Sequence, residues 1–216
     1  MSSGLFNRFK FIDDYVVTEE LNANGKKIKK TYYNAEYYET DWNNKQALTF
    51  KTMVMVIAAL CLVISAVPLL VYHDAMFIMY VVLAFAVSTI LSVLMFGSAL
   101  YLPGKAIPME RAQKHFGFER LRVRAKINCA LGLYGALMNA VCSFLILPKN
   151  GGSALETPTP GMDIVVSLCG IAIAAGSYFC IRRLKTANVH RSTKESEWRR
   201  IKRELQEKGK PDAFDA

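Results

Sequence analysis

Four long stretches without a charged residue constrain this 216-residue chain more than any other feature. They cover residues 52–72, 75–102, 127–147 and 164–181. A bilayer core about 30 Å thick is crossed by roughly 20 apolar residues of helix, and lipid does not tolerate irregular backbone. The pattern therefore predicts an all-α membrane protein, a four-transmembrane-helix bundle with spans at about 52–72, 76–102, 127–147 and 163–181.

The distribution of lysine and arginine orients these predicted spans. Of 27 basic residues, eight precede the first span, seven lie between the second and third, and eleven follow the fourth, which leaves only Lys149 for the other side. Short loops rich in Lys and Arg stay cytoplasmic. We therefore predict a multi-pass protein of the cell membrane with both termini in the cytoplasm. Since topology accounts for the excess of positive charge, that excess does not indicate nucleic-acid binding.

This layout divides the chain into three predicted regions. Residues 1–50 form a cytoplasmic N-terminal region, 51–184 the four-helix transmembrane domain, and 185–216 a cytoplasmic juxtamembrane helix and tail. We expect the partners to include the lipid bilayer, anionic lipids at the cytoplasmic face and other protein subunits or further copies of the chain. The basic residues at the start of the third span, where anionic lipid would bind, are Arg120, Arg122, Arg124 and Lys126.

The N-terminal region contains the pattern of a small β-hairpin over residues 15–33. Asn24-Gly25 is the dipeptide favoured in a two-residue type I′ turn, because both positions need positive φ. A turn there sets the register, and the pairs it creates are apolar, hydroxyl-matched or oppositely charged. The predicted partners are Leu21 with Ile28, Glu20 with Lys29, Glu19 with Lys30, Thr18 with Thr31, Val17 with Tyr32 and Val16 with Tyr33.

The C-terminal region predicts an amphipathic helix. Ser192 and Glu195 have the spacing of a capping box, and an apolar stripe follows at steps of three and four residues. We expect this helix to lie in the membrane interface or to dock on a partner, with the hairpin tyrosines as a second docking surface. The residues assigned to docking are Tyr32, Tyr33, Trp198, Ile201 and Leu205.

The predicted spans carry no ionisable side chain of the kind that marks an ion or substrate path. Asp163 and His73-Asp74 fall at their outer boundary. All five cysteines fall inside spans, without the close spacing or the histidines that support a metal centre. An intramembrane enzyme needs a nucleophile with a base, or a metal. We therefore predict no enzymatic activity, no catalytic residue, no cofactor and no metal.

Small and amide side chains follow one face of the third and fourth spans. Small residues allow close approach of helix backbones, and amides form hydrogen bonds between helices. The expected result is a packing interface between these two spans, and the alternative is a polar path through the membrane. The residues concerned are Asn128, Gly132, Gly135, Asn139, Gly170 and Ala174.

Two functions are compatible with this layout. The first is a non-enzymatic integral membrane subunit that scaffolds or anchors a larger complex through its cytoplasmic elements. The alternative is a transporter or channel for a small solute or ion, acting as an oligomer, with Asn128, Asn139 and the region of Pro68 lining its path. The two hypotheses differ in whether the third and fourth spans pack tightly or line a cavity.

Overall fold

A computed structural model describes residues 9–21, 27–71, 79–143 and 160–207. The chain is mostly helical and divides into two compact units. The first, here called the helical unit, comprises Trp42–Lys105 and His115–Asn188. The second, here called the mixed unit, is drawn from three chain segments, Met1–Asp41, Ala106–Lys114 and Val189–Ala216.

Among its described residues, the helical unit contains four long helices. They are α1 (Asn44–Leu70), α2 (Met79–Leu100), α3 (Arg120–Val141) and α4 (Pro160–Thr186). A helical turn at Arg111–Gln113 and a π-helical segment at Lys114–Glu119 lead into α3. The first helix begins before its apolar block because Asn43 caps it. The Asn43 side-chain oxygen accepts a hydrogen bond from the Gln46 backbone amide at 2.8 Å, and the Gln46 side-chain oxygen accepts one from the Asn43 backbone amide at 3.0 Å.

Three of these helices are long and apolar enough to cross a membrane, and they suggest a membrane protein. They correspond to Asn44–Leu70, Met79–Leu100 and Gly161–Thr186. The first two turns of α3 carry four basic residues, so its apolar part is shorter. Residues 144–147 of the predicted third span, and the turn at His73-Asp74, lie outside the described residues.

Side chains in the helical unit have an inside-out distribution. Large apolar side chains such as Leu60, Val63 and Leu168 are more than half exposed, whereas Asn128 and Asn139 are fully buried. Further buried polar residues are Ser65, Ser88, Ser92 and Ser177. Water-soluble folds bury charged and amide groups rarely, and polar residues of membrane helices face the bundle interior. The pattern agrees with the apolar character of the helices.

The mixed unit contains the N-terminal hairpin, whose existence is confirmed. A 3-10 segment at Phe9–Asp14 precedes β1 (Tyr15–Leu21), which pairs antiparallel with β2 (Lys27–Tyr33). The predicted register is wrong by one residue, since Val17 pairs with Thr31 rather than with Tyr32. The proposed turn at Asn24-Gly25 lies outside the described residues.

Tertiary contacts of the tyrosines account for the observed register. Tyr15 and Tyr33 are direct partners, and their rings meet edge to face at 5.4 Å between centroids. Tyr33 is buried at 3% exposure. A slip of one residue would turn every β2 side chain to the opposite face, and would remove Tyr33 from this position. Matching of cross-strand charges, at a few tenths of a kcal/mol to about 1 kcal/mol a pair, is too weak to prevail over that burial.

A second small sheet joins the three segments of the mixed unit. Strand β3 (Tyr38–Thr40) pairs antiparallel with β4 (Val189–Arg191). On its other side, Tyr38 exchanges two backbone hydrogen bonds with Met109, of 2.9 and 2.8 Å. Segments far apart in the chain are thus connected through the backbone of a single residue.

The final helix, α5 (Glu197–Glu207), begins later than the capping box predicts. Ser196 is its N-terminal cap, and the Ser196 hydroxyl accepts a hydrogen bond from the Arg199 amide at 3.4 Å. The Ser192 hydroxyl instead accepts from the Lys194 amide at 3.0 Å and donates to Glu39. The pairing of β4 with β3 holds Ser192 in a turn, so it is unavailable as a cap.

Candidate functional site

Two glycines bring the backbones of α3 and α4 into close contact. A Cβ atom added to Gly132 would lie 2.7 Å from the Gly170 carbonyl oxygen and 2.9 Å from the Ala174 amide nitrogen. A Cβ atom added to Gly170 would lie 2.6 Å from the Gly132 carbonyl oxygen and 2.8 Å from the Ala136 Cβ. Such distances leave no room for a side chain, so the two backbones touch directly.

Gly135 belongs to a different contact. A Cβ atom there would meet the ring of Phe85, on α2, at 3.1 Å. The structure therefore brings Gly132, Gly170 and Ala174 together, while Gly135 provides space for an aromatic ring of a third helix. Glycines three residues apart point in directions about 60° apart around a helix, which explains how one stripe serves two neighbours.

Asn128 connects three helices through a buried hydrogen-bond network. Its amide nitrogen donates to the Ser92 hydroxyl on α2 and to the Ser177 hydroxyl on α4, each at 3.2 Å. Its amide oxygen accepts from the Ser88 hydroxyl at 2.6 Å. Each polar atom of this side chain is satisfied, which makes Asn128 a cross-link between helices. The Ser88 and Ser92 partners were not identified from the sequence, although hydroxyls four residues apart in an apolar stretch are a usable signal.

Asn139, three turns further along α3, is satisfied only in part. Its amide nitrogen donates to the Asp163 backbone oxygen at 2.8 Å and to the Ser167 hydroxyl at 2.9 Å. Its amide oxygen is buried and has no hydrogen-bond partner among the described residues, and the same holds for the Ser143 hydroxyl. Buried polar atoms of this kind are uncommon. This end of the α3–α4 face thus retains capacity for an additional polar group.

The residues assigned to docking lie in the mixed unit, and two of them contact each other. The ring of Trp198 on α5 stacks on Tyr32 of β2, with 6.1 Å between centroids. Tyr33 is buried, and Ile201 is partly buried. The side chain of Leu205 lies outside what the structure describes. Trp198 and Tyr32 therefore hold α5 on the hairpin, which reduces the surface either presents to another molecule.

A cluster of acids and tyrosines at the open end of the hairpin was not predicted from the sequence. The Tyr15 hydroxyl donates to the Glu110 carboxylate at 2.5 Å. The Tyr33 hydroxyl accepts from the Arg111 amide at 2.9 Å and donates to the Glu36 carbonyl at 2.9 Å. Burial raises the pKa of Tyr33 to about 12, and burial with the Glu110 contact raises the pKa of Tyr15. The sequence separation of these partners left no local signal to find them.

Asp14 completes this cluster. It is 8% exposed, and its nearest cation is Arg111, with 3.7 Å between Nη1 and Oδ1. Loss of hydration raises the pKa of this carboxyl, and Arg111 offsets only part of the effect. Its second oxygen, Oδ2, is buried and has no hydrogen-bond partner among the described residues.

The arginines assigned to lipid have protein contacts. The Arg122 guanidinium donates to the Leu184 carbonyl at 3.0 Å, near the end of α4. The Arg124 guanidinium donates to the Leu94 carbonyl at 2.6 Å and to the Ser98 hydroxyl, near the end of α2. Cations at helix C-termini interact favourably with the helix dipole. Both side chains therefore connect neighbouring helices, and the binding of lipid to them stays a prediction.

Metal-binding groups are scattered in the part of the chain that the structure describes. Within those residues, no three His, Cys, Asp or Glu side chains lie close enough to hold an ion. The five cysteines are free thiols, of which Cys61, Cys142 and Cys180 are buried.

Comparison with models of known families, with curated proteins and with solved structures finds no match to this chain.

Proposed function

We propose that this chain is a non-enzymatic integral membrane subunit that anchors or scaffolds a larger membrane complex through its mixed unit. In this proposal it crosses the cell membrane four times and has both termini in the cytoplasm. The main observation in support of the proposal is that three separate chain segments form the mixed unit. Its three segments precede α1, connect α2 to α3 and follow α4, so each pair of consecutive segments is separated by two long helices. Two crossings return a chain to the same side of a bilayer.

The relation between α3 and α4 supports a fourth span. Arg122 contacts Leu184 near one end of the pair, and Asn139 contacts Asp163 near the other. Residue numbers therefore increase along α3 in the direction in which they decrease along α4, so the two helices are antiparallel. Because α4 is long and apolar enough to cross a membrane, an antiparallel neighbour in contact over this length would cross it too.

Charge supports the orientation. With four spans, the regions assigned to the cytoplasm carry 26 basic and 15 acidic residues, and the regions assigned to the outside carry one and three. The positive-inside rule then favours a cytoplasmic location of the mixed unit. A folded unit of helix and strand attached to a plain helical bundle is suited to holding a cytoplasmic or membrane partner.

Topology is tested with reporters inserted at single positions. A reporter at Gly152 should be accessible from outside intact cells, whereas reporters at Gln113 and after Ala216 should be accessible only after permeabilisation. Accessibility of Gln113 from outside would contradict the orientation. Opposite accessibility of Gln113 and Ala216 would contradict the fourth span.

The unsatisfied atoms near Asn139 favour a second candidate, a transporter or channel for a small solute or ion. The Asn139 amide oxygen and the Ser143 hydroxyl are buried without a partner among the described residues. A conduction path needs such polar groups along its wall. In this alternative the α3–α4 face is the functional site and the mixed unit is secondary.

A pair of variants separates the two functions. Tyr33→Ala should open the mixed unit, and Asn139→Leu should change only the α3–α4 face. A scaffold should lose its co-purifying partner in mild detergent with Tyr33→Ala and keep it with Asn139→Leu. A transporter should instead lose solute or ion flux in proteoliposomes with Asn139→Leu while remaining folded. That second result would replace the scaffold proposal with the transporter.

A further inference from the structure

A pocket of about 400 Å³ lies in the mixed unit, between the segment after β2 and the N-terminus of α5. Its volume is within the range typical of sites for small molecules. Four of its lining side chains are cationic and two are carboxylates, which leaves a formal excess of two positive charges. The lining cations are Arg191, Lys194, Arg199 and Arg203.

Two of these cations are already paired with the two carboxylates. Arg191 forms an ion pair with Glu36 at 2.6 Å, and Arg203 forms one with Glu195. Within the described residues, neither Lys194 nor Arg199 forms an ion pair, and Lys194 lies over the ring of Tyr37 at 5.5 Å from its centroid. The uncompensated charge of the pocket is therefore located on Lys194 and Arg199.

Apart from Ala35, the remaining lining side chains carry hydroxyl groups. The hydroxyl residues Ser192, Thr193 and Ser196 line the wall, and Ser192 and Ser196 are held in place as a turn and a helix cap. The pocket adjoins the first turn of α5, where backbone amides and the helix dipole favour negative charge. Arginine, lysine, hydroxyls and a helix N-terminus together are the groups that bind phosphate.

We propose that this pocket binds a phosphate group, with Lys194 and Arg199 as its principal ligands. The group belongs either to the headgroup of an anionic phospholipid or to a soluble phosphorylated molecule. The two sources share the same chemistry at the pocket and differ in whether the phosphate is attached to a bilayer. The proposal does not require the scaffold function, because it depends on the charge and hydrogen-bonding groups of the pocket lining and not on a protein partner.

The test uses the full chain in detergent with two probes. Binding of sodium pyrophosphate is measured by titration calorimetry, and retention of phosphatidylglycerol over phosphatidylcholine is measured by native mass spectrometry. The pocket variant is Lys194→Gln with Arg199→Gln. The matched control is Arg200→Gln with Lys202→Gln. It also removes two positive charges, but at positions of α5 that do not line the pocket.

The expected result is that at least one probe binds saturably, with affinity or retention at least tenfold lower in the pocket variant and within twofold of the unaltered chain in the control. A selective loss of phosphatidylglycerol assigns the site to a lipid headgroup, and a selective loss of pyrophosphate alone assigns it to a soluble phosphate. Equal weakening in both variants would show diffuse attraction to a basic surface and would overturn the proposal. Failure of both probes to distinguish the three proteins would overturn it as well.

Discussion

The helical unit and the mixed unit are stabilised by different interactions. In the helical unit, backbones touch at Gly132 and Gly170, and buried amides connect helices whose outer surfaces are apolar. In the mixed unit, tyrosines and a tryptophan pack in pairs, and ion pairs such as Arg191 with Glu36 lie at the surface. Exposed ion pairs contribute about 0–1 kcal/mol each, so we expect the aromatic contacts to stabilise the mixed unit more than its ion pairs do.

This difference predicts how each unit responds to substitution. Close backbone contact tolerates no added atom, whereas an aromatic surface can adjust side chains at moderate cost. The helical unit should therefore be sensitive to volume and insensitive to pH. The mixed unit should be sensitive to ionisation of Tyr33, of Tyr15 and of Asp14.

The largest effect is expected from one methyl group in the helical unit. Gly132→Ala places a Cβ atom 2.7 Å from the Gly170 carbonyl oxygen, and should destabilise the unit by about 3 kcal/mol, the upper part of the range for overpacking. Gly97→Ala on α2 is the control, because nothing lies within 4 Å of its Cβ position, and it should be neutral or stabilising by up to about 1 kcal/mol. Denaturant unfolding in detergent measures both, and equal stability of the two variants would contradict the close contact.

Alkaline pH should weaken the mixed unit before the helical unit. Because burial raises the pKa of Tyr33 from 10.0 to about 12, its contribution to folding is fully present below pH 10 and is lost as pH rises through about 12. The expected loss is on the order of 2 kcal/mol. Tyrosinate absorbance at 295 nm and circular dichroism follow the transition. In Tyr33→Phe, the stability of the mixed unit should fall less steeply with pH above pH 10. An unchanged pH dependence would contradict the assignment of this loss to Tyr33.

The two asparagines of α3 should differ when each is replaced by leucine. Asn128→Leu removes three hydrogen bonds to serines and should destabilise the helical unit by roughly 2 kcal/mol, at about 0.6 kcal/mol a bond or more. Asn139→Leu removes two bonds but also an unsatisfied oxygen, and should cost less than about 1 kcal/mol. Each variant serves as the control for the other in the same unfolding experiment. A larger loss for Asn139→Leu would mean that its oxygen has a partner in the folded protein.

Removal of the stacked tryptophan should loosen α5 from the hairpin. Trp198→Ala deletes the contact with Tyr32 at 6.1 Å, which is worth about 1 kcal/mol for an aromatic pair. Hydrogen exchange of β2 and α5 should accelerate in this variant. Trp198→Phe keeps a ring and should restore most of the protection; protection as low as that of the alanine variant would mean that the indole contributes through another contact.

The smallest effect is expected at Asp14. Because desolvation raises the pKa of this carboxyl, its favourable contribution is fully present below pH 3.8 and is lost as pH rises through the folded-state pKa. Asp14→Asn should therefore stabilise the mixed unit at neutral pH by a few tenths of a kcal/mol to about 1 kcal/mol. The gain should disappear at pH 3, where the carboxyl is protonated. Asp13→Asn, at an exposed neighbour, is the control, and a loss of stability for Asp14→Asn at neutral pH would show that the Arg111 ion pair dominates.

Several of these features could be predicted from particular residues. The long apolar stretches predicted the helices, because hydropathy and length act locally along the chain. Three helices of the expected character are present, as is the hairpin. Gly132, Gly170 and Ala174 were placed on facing surfaces from spacing alone, because the period of a helix determines which residues share a face. The predicted start of α5 was wrong, because Ser192 follows strand β4 directly and its hydroxyl is used in the turn there. The local sequence did not reveal this strand.

By itself the sequence determined the apolar helices, the asymmetry of charge between loops and the presence of a hairpin, since each depends on residues close together in the chain. Only the tertiary structure decided the register of that hairpin, the direction of Gly135 toward Phe85 and the assembly of the mixed unit from three distant segments. These depend on contacts such as Tyr38 with Met109 and Tyr15 with Glu110. A contact between residues far apart is set by what each buries in the folded chain, and no local pattern of residues records it.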